Sequence, residues 1–123
     1  MAKPIKHILR KKAIFKVNGS LWIECEGNRF FGPGPVELLE RIIDTGSINQ
    51  AAKQMKMSYK KAWEIIHVLN EHSAHPVVIM QSGGQRGGGS LITKEAIQLI
   101  NYHRSLRKRF KKFLENETEK LSF

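Results

Sequence analysis

Cysteine occurs once in the 123 residues, as Cys25. No intrachain disulfide can form, and a zinc site built on cysteines is excluded. Long apolar runs are missing too, since nothing approaches the roughly 20 residues that a membrane-spanning helix needs. The N-terminus is basic but has no apolar stretch behind its charges. The sequence therefore predicts no secretory signal, no membrane partner and a cytoplasmic protein. Catalytic constellations are absent as well: no nucleophile–base pair, metal cluster or pair of carboxylates stands at useful spacing. His7, His67, His72, His75 and His103 are scattered. His72-Ser73-Ala74-His75 could lend metal ligands from a loop, but no carboxylate or cysteine accompanies them. Neither an enzyme nor a bound cofactor is expected.

Acidic residues are scarce where basic ones gather. The formal net charge is +10 and the sequence pI is near 10.0. Up to Ile23 the chain carries Lys3, Lys6, Arg10, Lys11, Lys12 and Lys16 and no acid. From Thr45 to Lys94, the bases Lys53, Lys56, Lys60, Lys61, Arg86 and Lys94 face only Glu64 and Glu71. A third cluster, Arg104, Arg107, Lys108, Arg109, Lys111 and Lys112, lies near the C-terminus. Such an imbalance favours a polyanionic partner. An anionic membrane fits less well, because no basic segment carries the broad apolar face that surface insertion needs.

The stretch Gly46–Leu69, GSINQAAKQMKMSYKKAWEIIHVL, reads as two short helices joined by a tight turn. Ser47 can cap the first, with Gln50 placed to return the capping-box hydrogen bond. Ala51, Ala52 and Met55 mark its apolar face. Lys56 and Met57 form the connection, and Ser58 can cap the second helix. At about 100° per residue, Ala62, Ile65, Ile66 and Leu69 share one face, opposite Lys60, Glu64 and His67. Tyr59 and Trp63 lie on the flank, where Trp63 reads as a packing residue. This is a helix-turn-helix with Ser58–Glu71 as its recognition helix.

The surrounding segments read as support. Residues 1–12 look like a loosely attached basic arm. AIFKVNGSLWIECEGNRFFG alternates with period two, and Asn18-Gly19 is a two-residue hairpin signal. Strands are expected near Ala13–Val17 and Ser20–Cys25, with a short one near Arg29–Phe31 after a Gly27-Asn28 turn. Trp22, Phe30 and Phe31 suit a core or packed edge, or an aromatic ligand platform. Gly32-Pro33-Gly34-Pro35 opens a helix with the stripe Val36, Leu38, Leu39, Ile42, Ile43, ended by Gly46.

After Leu69 the chain turns and Pro76–Met80 reads as a strand. SGGQRGGGS follows, then Leu91-Ile92 as the return strand, a pattern that describes a wing with Arg86 at its tip. A phosphate loop fails because Gly89 stands where its lysine must be, and a dinucleotide fingerprint fails because Ile92 replaces the last glycine. Thr93 can cap a final helix, Lys94 to Glu117. There Leu99, His103, Leu106, Phe110 and Phe113 repeat at spacings of 4, 3, 4 and 3, a coiled-coil-like seam. His103 is expected at a wet edge of it.

GSINQAAKQMKMSYKKAWEIIHVLN followed by GGQRGGGSLIT resembles the N-terminal DNA-binding domain of ModE-type molybdate-responsive transcription regulators, and more distantly the LysR-type winged helix. The segment W-x-E…G…FFGPG…LLERI is similar to short, stand-alone members of that group. The likeness runs roughly from Leu21 to Tyr102. It implies a dimeric protein that binds operator DNA. The full-length regulators carry C-terminal molybdate-binding domains, and this chain ends soon after its last helix. The resemblance therefore brings DNA binding and dimerisation and leaves molybdate sensing open.

The expectation is an α+β winged helix-turn-helix with an N-terminal β-hairpin and a long C-terminal dimerisation helix. Residues 1–93 form the DNA-binding domain, and 94–123 the dimerisation helix and tail. Ser58, Tyr59, Lys60 and Lys61 would face the major groove of double-stranded DNA, with Glu64 and His67 deeper on that face. Whether Lys60 and Lys61 meet phosphate or guanine is open. Gln50 and Lys53 would meet the backbone, and Arg86 a groove or phosphate. A homodimer would form through Leu99, His103, Leu106, Phe110 and Phe113. The alternative is a small-oxyanion sensor of the molybdate type, holding its ligand at helix N-termini and the glycine loop. The effector, if any, is unknown.

Overall fold

The computed structural model describes residues 3–80 and 89–122, and the chain divides into two compact units. The larger runs from Trp22 to His103. It begins with β1 (Ile23–Cys25) and β2 (Asn28–Phe31), an antiparallel pair in which Cys25 faces Asn28. The turn between them is Glu26-Gly27, with φ of 51° and 84°. Both central residues thus adopt the left-handed conformation that suits the twist of a tight hairpin. This hairpin joins the second and third expected strands, with its turn one residue before the expected Gly27-Asn28, whereas none forms at Asn18-Gly19.

Helix α1 (Pro33–Thr45) starts after an extended Gly32 and ends at Gly46, whose φ of 74° lets its N–H reach Ile42 O at 2.7 Å. Leu38, Leu39 and Ile42 are buried on its inner face. Helix α2 (Ile48–Gln54) is capped by Ser47, whose hydroxyl accepts from the Gln50 N–H at 3.2 Å. The return half of the capping box is made differently: Thr45 Oγ1 takes the Ser47 N–H at 3.3 Å. Ala51 and Ala52 are fully or almost fully buried, so the small residues let α2 approach its neighbours closely. The turn passes through Lys56 at φ 56°, and the Met57 N–H closes back on Ala52 O at 3.0 Å.

Helix α3 (Tyr59–Glu71) is capped by Ser58, which accepts from the Lys61 N–H at 3.0 Å. Its buried residues are Ala62, Ile66 and Leu69. Strands β3 (Val78–Met80) and β4 (Ser90–Ile92) pair antiparallel, Ile79 opposite Leu91. They form the base of the wing. Thr93 then caps α4 (Lys94–Glu119) by accepting the Ala96 N–H at 3.2 Å, and its own hydroxyl reaches Pro76 O at 2.8 Å.

His103 is a correction. It is 2% exposed, with its ring edge-on to Phe31 at a centroid distance of 5.6 Å. Ala96, Ile100 and His103, spaced 4 and 3 apart, form the buried face of α4 in this unit, and Leu99 packs partly against the core. The helical period turns His103 inward with its neighbours rather than leaving it at a wet edge.

The second unit joins the described residues up to Leu21 with those from Arg104 onward. Ala13–Val17 forms no strand here. Residues 5–13 make successive turns, closed by Ile8 N–H to Ile5 O at 2.8 Å and Ala13 N–H to Arg10 O at 3.2 Å. The Val17 N–H is held by Thr118 Oγ1 at 2.9 Å. Gly19 is pressed so close to Phe110 that an added Cβ would stand 3.3 Å from its ring. Ile14 is 98% exposed, Phe15 37% exposed and Val17 only half-buried, so no large side chain of this segment is fully buried.

Candidate nucleic-acid interface

The α2–turn–α3 element carries its polar groups outward because Ile48, Ala51, Ala52, Ala62, Ile66 and Leu69 take its inner face. With Ala62, Ile66 and Leu69 fixed inside, Lys60, Glu64 and His67 must project from the far side of α3, and all are exposed. Ser58, Tyr59 and Lys61 are exposed at its N-terminal end, and Tyr59 is half uncovered at 51%. Lys53 and Gln50 are exposed on α2, and Lys56 on the turn. Lys53, Lys56, Lys60 and Lys61 thus meet solvent along one continuous stretch with Glu64 as its acid. That arrangement places mobile cations around a helix end, which is how phosphates are neutralised while side chains reach base edges.

The scaffold is tied at several points. Arg41 on α1 donates to Glu37 and to Gln54 on α2, both at 3.0 Å, linking the two helices. Asn70 near the end of α3 is the more telling residue. Its Oδ1 accepts the Val77 N–H at 2.7 Å and the Val78 N–H at 3.1 Å, and its Nδ2 donates to Val78 O at 2.9 Å. One side chain therefore sets where the wing leaves the recognition helix. The sequence places Asn70 at the turn after Leu69, and no local pattern marks a bond to residues seven and eight positions on.

Trp63, read as a packing residue, is packed only in part. It is 39% exposed and stacks on His67 with ring planes 8° apart. Arg86 lies outside the described residues. Of the seam on α4, Leu106 and Phe110 are half-buried and Phe113 is 54% exposed. Phe110 and Phe113 stack at 6.4 Å. No group of His, Cys, Asp and Glu suited to a metal ion occurs among the described residues. None of the described helices is long and apolar enough to cross a membrane.

Three capped helices, an α3 with an exposed basic start and an antiparallel strand pair after it define a winged helix-turn-helix of the α+β class. No family model matches the chain. It is 40% identical over 83 residues to the transcriptional regulator ModE of Haemophilus influenzae, covering 68% of this chain and 32% of that protein. The DNA-binding transcriptional dual regulator ModE of Escherichia coli is 36% identical over 83 residues, with the same shares of 68% and 32%. The molybdenum-pterin-binding protein MopB of Rhodobacter capsulatus is 41% identical over 78 residues, 63% of this chain and 28% of that one. The chain belongs to the ModE-type family in the segment it shares with these proteins, and it spans about a third of the length of the curated relatives it matches.

Proposed function

We propose that this chain binds operator DNA and regulates transcription, working in the cytoplasm as a homodimer. The carrying observation is the exposed face of α3, where Lys60, Glu64 and His67 stand opposite a fully buried stripe and Tyr59 and Lys61 are exposed at its N-terminal end. The N-terminal half of α3 enters the major groove. Gln50 and Lys53 meet the backbone beside it, and Arg86 meets phosphate or the adjacent minor groove. The second copy docks on the later part of α4, where Phe113 is exposed next to Leu106 and Phe110. The names of the relatives support the regulatory reading. No observation favours the oxyanion-sensor reading over it.

Selection from a random duplex pool tests this directly. A preferred sequence should emerge, and log K for it should fall with log salt by about 0.9 per phosphate neutralised. Affinity without sequence preference, or without salt dependence, would show that this face is not the reader. Tyr59→Ala and Lys60→Ala should each remove about 1–3 kcal/mol of specific binding while sparing non-specific binding.

A further inference from the structure

Tyr59, Trp63, His67 and Glu71 recur every fourth residue and so form one stripe along α3. Within it, the Trp63 indole and the His67 imidazole lie parallel, 5.0 Å between centroids and 8° between planes. His67 Nε2 stands 3.9 Å from Glu71 Oε2, the next step of the ladder. Trp63 follows Ala62, which is fully buried, yet keeps 39% of its surface uncovered. A large apolar ring is thus held at the border between the core and the lysine-bearing face, braced on its far side by a second ring.

An uncovered indole gains free energy by covering its apolar edge. The major groove of DNA offers one apolar group for that purpose, the C5-methyl of thymine. We infer that Trp63 reads a thymine C5-methyl group in the major groove, with His67 as the positioning residue that holds the indole plane. This rests on the DNA-binding reading above and adds a chemical feature of the operator to it. Lys60 and Lys61 supply charge and Trp63 supplies methyl recognition, so the same helix turn discriminates on two independent properties of the DNA.

Replacing each thymine of the selected duplex by uracil, one at a time, removes a methyl and leaves the base pair intact. At one thymine or more, uracil should weaken binding by the unmodified protein about fourfold, the worth of one buried methyl-sized group. Trp63→Ala should bind the thymine and uracil duplexes equally, and Trp63→Phe should keep part of the preference. His67→Ala should narrow the thymine-over-uracil ratio without lowering the melting temperature, and His67→Phe, which can still stack, should restore it. Equal binding of every uracil duplex by the unmodified protein overturns the inference while leaving the DNA-binding reading in place. A full thymine preference in folded Trp63→Ala does the same. If no sequence is selected at all, the regulator reading falls and this inference falls with it.

Discussion

The helix-turn-helix and the N-terminal segment were both announced by strong local signals, and only one of them kept its promise. Ser47 and Ser58 cap the helices they precede because each helix behind them has a buried partner for its apolar stripe. Asn18-Gly19 is as clear a hairpin signal as any, yet the flanking residues form no strand. Their alternating side chains, with Ile14 at 98% exposure, include no fully buried one. The turn expected beside Gly27 does form, at Glu26-Gly27, and the hairpin it makes ends at Phe31, which is fully buried. A turn signal biases the backbone by a few tenths to about 1 kcal/mol, while burial of one large side chain supplies about 2–3 kcal/mol. Tertiary burial chooses between competing turns.

The sharpest test of that contrast sets one buried isoleucine against one exposed one. Ile66 is fully buried on α3, so Ile66→Ala should cost about 3 kcal/mol in denaturant unfolding. Ile14→Ala should change stability by less than about 0.5 kcal/mol. Comparable losses at both sites would mean that the N-terminal segment has a core of its own.

Next in size is the Asn70 clasp. Asn70→Ala removes both acceptor bonds and the donor bond, and should cost about 2 kcal/mol. Asn70→Asp keeps the acceptor for Val77 and Val78 but sets a carboxylate oxygen against the Val78 carbonyl, so it should recover only part of the loss. Amide hydrogen exchange at Val77 and Val78 should speed up in Asn70→Ala before the α3 core exchanges. Uniform acceleration through α3 would show that Asn70 is part of the general fold and not a local fastening of the wing.

Legibility followed the same physics. The helix-turn-helix and its serine caps, the wing strands, the Thr93 cap and the α1 stripe apart from Ile43, which is 45% exposed, were readable, since each depends on neighbours close in sequence. The burial of His103 was not readable. A polar residue in an apolar repeat takes its place from what faces it, here Phe31, far away in the chain. Trp63 fell on the flank of its helix, where the periodicity that sorts inside from outside is least decisive. The long reach of Thr118 to Val17 depends on two segments at opposite ends of the chain, and no local pattern encodes it.

A smaller effect is expected at Gly46. Its φ of 74° lies in the left-handed region, while a Cβ added there would meet nothing within 4 Å. The penalty for Gly46→Ala is then backbone strain alone, about 1 kcal/mol. Gly46→Asn should cost less, because asparagine tolerates that conformation. A loss from alanine as large as that of Ile66→Ala would mean that the carbonyl of Gly46, which accepts the Ser90 N–H at 3.1 Å, had been displaced as well.

The smallest change in intrinsic stability belongs to Phe113, and there the contrast between the two regions turns on association. Phe113 is 54% exposed and stacks on Phe110, one helical turn earlier, on the part of α4 proposed to meet a second copy. Within one chain only the exposed stack on Phe110 is lost, so Phe113→Glu should shift unfolding measured on monomer by no more than about 1 kcal/mol. In a dimer the same glutamate would be trapped without a partner at the contact, and association should fail. The two effects separate by concentration. The melting temperature of the unmodified protein should rise with protein concentration, because association stabilises the folded state by mass action, whereas that of Phe113→Glu should not. Light scattering should give a dimer mass for the first at micromolar concentration and a monomer mass for the second. A monomer in both cases, with melting independent of concentration, would remove the second copy from α4 and leave Phe113 an ordinary exposed aromatic.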